Sequence, residues 1–347
     1  MIMIDHTDVY MTPEQVADRL QLAVETVYRW LRSGKLRGSR MSQKAWRVAD
    51  EDLRSFMIKQ NVSELLFEDY LSGHRLGAPD HEPIVSGKSR RIDYRLVFEN
   101  QVLWFEVKEF AEDASLLDGA HGPYDPYVAI RRKIDEASKK FREYHGESCS
   151  LVLFNRNINL VDICTPSLVL GAMLGNVSWS IPIDFQKGVE TGPPSTFFGD
   201  GGKLIHPHTK APRNTTISAV IALEKLAIGH RKFRIEIARK EREENRRFSW
   251  QEFLESLRNQ GDDYGRTALR VLVYENPYGK RRLPANIFAG PFDVRFGPVN
   301  GEPYIGRIYV GSEIAKLETA EHELGLDLGP LQRRKNQKRN PRAFGSQ

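Results

Sequence analysis

Residues 91–110 read RIDYRLVFENQVLWFEVKEF, and this stretch decides the fold of the larger part of the chain. From Arg91 to Glu99 the residues alternate. Ile92, Tyr94 and Leu96 share one face, and Arg91, Asp93 and Arg95 the other, as side chains do along a strand. Asn100-Gln101 predicts a tight turn. A second strand follows from Val102 to Phe110. In it Glu106 and Lys108, two apart, project from one face, while Phe105 and Val107 point into the other. Folded as a hairpin, the two strands gather Asp93, Glu106 and Lys108 at one place.

That set has a chemical use. Two carboxylates bind a hard divalent cation such as Mg²⁺, which prefers oxygen ligands, and Mn²⁺ substitutes for it. The cation polarises a phosphodiester and lowers the pKa of a bound water. A lysine alongside orients that water or stabilises the charge on the phosphorane. Upstream, Ser63 caps a helix carrying Glu64 and Glu68 at i and i+4. Glu64, at the helix start, is the preferred third carboxylate, with Glu68 the alternative. A solvated strand face carrying an Asp/Glu/Lys/Arg salt network would use the same residues. Against it, VLWFEVK is too apolar for a fully exposed edge, and charges in a central strand need partners or a metal.

Working outward, residues 58–184 alternate helix-like and strand-like patterns. A helix carries Glu64, a strand Asp93, and a strand Glu106-Val107-Lys108. A helix from Tyr127 to Tyr144 and a strand from Ser150 to Phe154 follow. In this order, over Asn61 to about Asn155, the segment resembles the PD-(D/E)XK restriction-endonuclease-like superfamily. Ile92 stands where that superfamily has Pro before the Asp. The resemblance implies an α/β (α+β, mixed-sheet) core and a metal-dependent endonuclease. Asp93 and Glu106 would hold the metal, Lys108 would act in catalysis and Glu64 would assist. Arg131, Arg132 and Lys133 would hold phosphate.

The first 57 residues read differently. Thr12-Pro13-Glu14-Gln15 is a helix start, with Thr12 as N-cap, Pro13 at N1 and Gln15 completing a capping box. Val16 and Leu20 give one apolar face. A short turn, Gln21-Leu22-Ala23, leads to a second helix from Val24 to Ser33, stopped by Gly34. Val27 and Leu31 face inward with Trp30 beside them. Glu25, Thr26 and Arg29 are left on the outer face near the helix N-terminus, where a recognition helix meets base edges. Lys35 to Val48 reads as a hairpin wing, and Asp50 caps a helix with Leu53, Phe56 and Met57. Between Tyr28 and Ala49 lie seven basic residues and no acidic one: Arg29, Arg32, Lys35, Arg37, Arg40, Lys44 and Arg47. Such side chains suit phosphate contacts. TPEQVADRL, TVYRWLRSGKL and WRV followed by DEDLRSF resemble the excisionase-family, MerR-like winged helix-turn-helix. Gln21 replaces the turn Gly common there, and Ala23 the Ser N-cap. The resemblance implies double-stranded DNA as partner, with Thr26 and the basic residues as contacts. The alternative is a helical protein-interaction module.

The bulk numbers agree with an intracellular globular protein. The 347 residues carry a net charge of +5, which alone favours nucleic acid only slightly. Cys149 and Cys164 read as buried thiols rather than a disulfide. No signal peptide is indicated, and no apolar run reaches membrane-spanning length; the longest, Ser167 to Leu174, is too short. A cytoplasmic protein without a membrane partner is expected. Residues 185–328 read as a loop-rich extension of the core, beginning with a Gly/Pro-rich stretch over 185–216 that is long enough for a lid. His206-Pro207-His208 near Asp200 is a weak zinc pattern and reads as loop histidines. Strand-like runs at Thr216–Leu223 and Leu269–Tyr274 flank a charged helix from about His230 to Asn259. Residues 329–347 form a basic tail, expected to be disordered.

The sequence therefore predicts a DNA-binding, Mg²⁺-dependent endonuclease, with cutting of both strands favouring a homodimer. Restriction, phage defence or a mobile element would be its setting. The alternative is a non-catalytic regulator or recombination accessory protein whose nuclease-like domain oligomerises.

Overall fold

The structure is a computed structural model. It describes residues 10–20, 22–40, 46–50, 52, 53, 56, 62–110, 127–155, 164–180, 183–184, 189–190, 195–206, 208–299 and 305–326. Lys44, part of the wing, and the basic tail 329–347 lie outside the described residues. The described chain divides into two compact units, residues 1–223 with 274–287, and residues 224–273 with 288–347.

The N-terminal module folds as its sequence directs. Helix α1 (Pro13–Leu20) opens with the expected capping box. Thr12 Oγ1 accepts the Gln15 N–H at 3.3 Å, and Gln15 Oε1 accepts the Thr12 N–H at 2.9 Å. Helix α2 (Val24–Ser33) starts at Ala23 without a side-chain cap and ends at Gly34, whose φ of 73° suits glycine. Strand β1 (Tyr10–Met11) pairs with β3 (Trp46–Ala49), which pairs with β2 (Ser39–Arg40), so the wing is a three-stranded sheet. Val16, Leu20, Val27, Trp30, Leu31, Val48, Leu53 and Phe56 form its core, joined by Leu65 from the next helix.

That helix, α3 (Val62–Gly73), is apolar on more than one side, as a helix between two layers must be. Leu65 turns to the N-terminal module. Phe67 packs on Tyr94 and Phe105, with ring centroids 5.6 and 5.2 Å away. The sheet begins with β4 (Asp80–His81), β5 (Tyr94–Phe98) and β6 (Gln101–Phe110), all antiparallel. The tight turn between β5 and β6 is Glu99-Asn100, one residue earlier than expected. Both take positive φ (47° and 63°), the conformation a two-residue hairpin demands, and Phe98 pairs with Gln101.

Helix α4 (Val128–Phe141), continued by a 3-10 turn at Arg142–Tyr144, crosses over to β7 (Ser148–Asn155), parallel to β6. β7 is buried along nearly its whole length, as expected of a parallel central strand. Helix α5 (Pro166–Leu174) holds the apolar run too short to span a membrane; among the described residues no helix is long and apolar enough to do so. Then come β8 (Val177–Ser180), β9 (Ile183–Asp184), β10 (Val189–Glu190) and β11 (Ser195–Phe198), which pair two by two as β8–β11 and β9–β10. The Gly/Pro-rich stretch is anchored: the Lys203 and Leu204 N–H groups donate to Ala172 and Met173 of α5. Strand β12 (Ile217–Leu226) adds parallel to β7.

The second unit holds α6 (Ile228–Glu243), α7 (Trp250–Gln260), most of β13 (Ala268–Glu275), β14 (Val294–Pro298), β15 (Ile305–Val310) and α8 (Ser312–Glu323). The expected single charged helix is two. Asn245 takes a φ of 50°, and Ser249 with Glu252 forms a capping box that restarts the chain as α7. Arg231 of α6 pairs with Glu321 of α8, and the buried Asp293 carboxylate accepts the Val271 and Gly290 N–H groups at 2.9 and 2.6 Å. Within the first unit the sheet runs in the order β12-β7-β6-β5-β4 and within the second in the order β13-β14-β15, and the fold is mixed α/β.

Candidate functional site

Register brings the hairpin's charges together. Tyr94 lies opposite Phe105, so Asp93 falls beside Glu106. Asp93 Oδ2 accepts the Val107 N–H at 2.7 Å, which fixes the carboxylate against β6. Glu106 is fully buried, and Lys108 Nζ reaches its Oε1 at 2.5 Å. The structure thus brings Asp93, Glu106 and Lys108 into one cluster.

It adds a residue that the sequence reading missed. Lys140 of α4 approaches the same Glu106 Oε1 at 2.5 Å and Asp93 Oδ1 at 3.7 Å. Glu136, one turn earlier, pairs with Lys133 at 3.7 Å and adds its charge to the surroundings of Lys108. Lys133, Glu136 and Lys140 recur at i, i+3 and i+7, the spacing of one helix face, and that period is the signal that could have found Lys140. Arg132 pairs with Glu136 at 3.8 Å, and Arg131 stacks on Tyr127 and bonds Asn176.

The electrostatics follow from burial. Desolvation, and then the Asp93 charge, push the Glu106 carboxyl above the ordinary glutamate range against the pull of the two lysines. Burial is the largest single influence on the Lys108 ammonium and draws it down, but the Glu106 charge and hydrogen bond together with the Asp93 and Glu136 charges outweigh it, and the group lies above the ordinary lysine range. Glu106 Oε2 has no hydrogen-bond partner among the described residues. A buried carboxylate oxygen without a partner is costly, and a cation would satisfy it. Two carboxylates facing the α4 side fit Mg²⁺, which keeps several waters and needs only one or two protein oxygens. Among the described residues no three His, Cys, Asp or Glu side chains form a ready metal cage.

Glu64 and Glu68 are not brought to this cluster. Their helix packs through Phe67 on the Tyr94–Phe105 face, whereas Asp93 and Glu106 face α4, and alternation along the strands puts the two on opposite sides of the sheet. Glu64 lies 3.6 Å from His81, and Glu68 accepts the Tyr94 hydroxyl at 2.8 Å. Burial, followed by the charges of Glu68 and Glu64, raises the Tyr94 phenol far above its ordinary value, so it stays a donor. His206 Nδ1 accepts the Thr209 N–H at 3.2 Å and Asp200 pairs with Lys210, the local bonds of a loop rather than a metal centre.

The second candidate surface is α2 and its wing. Arg32, Arg37, Arg40 and Arg47 are exposed or half-buried, and Arg40 lies over the Trp46 ring. Thr26 is not on an open face: it is 3% exposed and donates its hydroxyl to Asp69 of α3. Arg29 donates to Ser72, and Lys35 Nζ contacts both oxygens of Glu68 at 2.6 and 2.7 Å. The correction has a physical cause: Leu65 pulls α3 onto the module's core, and α3 covers the side of α2 that the isolated pattern leaves to solvent.

A family model described as a helix-turn-helix domain matches residues 10–61. The N-terminal module is a helix-turn-helix, a class that suggests DNA binding. No curated protein matches the chain. Among solved structures, SfsA of Pyrococcus furiosus in complex with Ca²⁺ matches with 16% identity, covering 35% of this chain and 55% of that one. The chain thus spans little more than half of that protein, and at a TM-score of 0.18 the likeness carries no argument.

Proposed function

We infer that the protein is a divalent-metal-dependent endonuclease acting on double-stranded DNA, with a restriction-endonuclease-like core served by the helix-turn-helix. The observation that carries this reading is the buried Glu106 carboxylate beside Asp93, contacted by two lysines and with one oxygen that has no hydrogen-bond partner among the described residues. Asp93 and Glu106 would hold Mg²⁺ or Mn²⁺, and the ion supplies Lewis acidity and an activated water. Asp93, fixed by the Val107 N–H, keeps its oxygens aimed at the cluster. Lys108 orients the water or meets the developing phosphorane charge, and Lys140 has the reach to do the same from α4. Lys133 extends the positive side of α4 toward a phosphate strand. Cutting both strands with one site per chain favours a homodimer, in a restriction, defence or mobile-element setting.

One observation favours a second reading, a DNA-binding regulator or recombination accessory protein with a non-catalytic core. Two lysines already balance the two carboxylates, and a salt cluster of this kind is stable without a metal. Incubating supercoiled plasmid with wild-type and Lys108→Ala protein, with Mg²⁺, Mn²⁺ or EDTA, separates them. Metal-dependent nicking lost in the variant supports the nuclease. Duplex binding without cleavage by either protein supports the regulator.

A further inference from the structure

Helix α3 lies on the side of α2 that a duplex would need. It offers α2 a set of partners resembling a phosphate strand: the Asp69 carboxylate to Thr26, the Ser72 hydroxyl to Arg29, and both Glu68 oxygens to Lys35. A shallow cleft along this seam is lined by Glu25, Thr26, Arg29, Arg32, Ser33 and Ser72. An α-helix with its side chains is roughly 10–12 Å across and the B-DNA major groove about 12 Å wide. The groove therefore has no room for α2 while a second helix lies along its Thr26–Arg29 side.

We propose that α3 is an intramolecular cover of the DNA-reading helix: α2 enters a duplex only after α3 leaves Thr26, Arg29 and Lys35. The proposal rests on the reading of this module as DNA-binding. The docked state is held by the Leu65 contact and by charge-assisted bonds from two acidic side chains. Phosphate competes for the same donors, so Lys35 exchanges the Glu68 carboxylate for the DNA backbone. Glu68 also accepts the Tyr94 hydroxyl, and Tyr94 directly follows Asp93. Undocking therefore releases a tie between the helix-turn-helix and the hairpin of the candidate active site. Apparent DNA affinity is reduced by the fraction of molecules that are covered, and weakening the cover raises it with no new contact to DNA.

The test measures binding of a short duplex, selected from a random pool on the Glu68→Gln/Asp69→Asn full-length protein, at one fixed salt concentration. That variant is compared with wild type and with Glu14→Gln/Asp18→Asn, which removes two exposed charges of α1 that do not line the cleft. The expected result is a gain of about tenfold or more for the α3 variant, against about threefold or less for the control, where only general electrostatics change. Hydrogen exchange on the wild type gives the same answer without substitution, because the α3 amides should exchange faster in the DNA complex than in the free protein. Equal affinities, with unchanged α3 exchange on binding, overturn the cover and leave the DNA-binding reading standing. Absence of binding by all three proteins overturns both.

Discussion

Lys140 sets its ammonium 2.5 Å from Oε1 of Glu106 and 3.7 Å from Oδ1 of Asp93, bridging the two carboxylates from the neighbouring helix. A lysine in that position occupies the place of a cation and neutralises part of the charge that would attract one. Removing it should therefore separate two quantities. Lys140→Ala is expected to bind Mn²⁺ about threefold more tightly or better, because the competing charge is gone. With saturating metal it should cleave about tenfold more slowly, because the phosphorane loses a stabilising ammonium. Calorimetric titration and single-turnover cleavage check the two halves, and a parallel fall in both would mark Lys140 as purely structural.

The pH dependence follows from Glu106. Its carboxyl lies above the ordinary glutamate value of 4.5, chiefly through burial. The sign is that of a raised acid: its contribution to stability is complete below 4.5 and is lost as pH rises through the shifted value. Glu106 must also be ionised to hold a cation. Mn²⁺ should therefore raise the melting temperature at about pH 8 and raise it far less at about pH 5, where an ordinary glutamate is already ionised. Thermal scans with and without Mn²⁺ at both values measure this. An equal metal effect at the two would exclude Glu106 as the group responsible.

How much of this was legible in the sequence differs from residue to residue. Asp93, Glu106 and Lys108 could be read because strand alternation and a two-residue turn are local rules, and local rules put them on one face. The turn itself slipped by one residue, since Glu99 tolerates the positive φ that composition assigns to Asn and Gly. Lys140 was hidden by distance: it meets Glu106 only because α4 packs on that face. Glu64 misled for the converse reason, as its place at a helix start says nothing about which side of the sheet the helix takes. Thr26 looked exposed because α2 was read alone, and α3 is what buries it.

Glu64→Gln should change cleavage by less than about threefold, since its helix packs on the opposite side of the sheet from Asp93 and Glu106, beyond the reach of metal ligation. Single-turnover rates decide this. A loss of about a hundredfold or more, the order expected for a group acting in the transition state, would return Glu64 to the site.

Phe67 carries the packing that aligns the hairpin, lying fully buried against Tyr94 and Phe105. Phe67→Ala should cost about 3–5 kcal/mol, the range for emptying a buried aromatic position. Denaturant unfolding reads the loss, and a cost below about 1 kcal/mol would mean that α3 is not tightly packed on the sheet.

The most direct test of the account is whether the buried Glu106 carboxylate holds the metal. Mn²⁺ binding, followed by the signal of the free ion, should show one site per chain in the wild-type protein that is lost in Glu106→Gln and retained in Glu64→Gln. Equal Mn²⁺ binding by wild type and Glu106→Gln would contradict it, and the Asp93–Glu106–Lys108–Lys140 cluster would then be a salt network within a DNA-binding regulator.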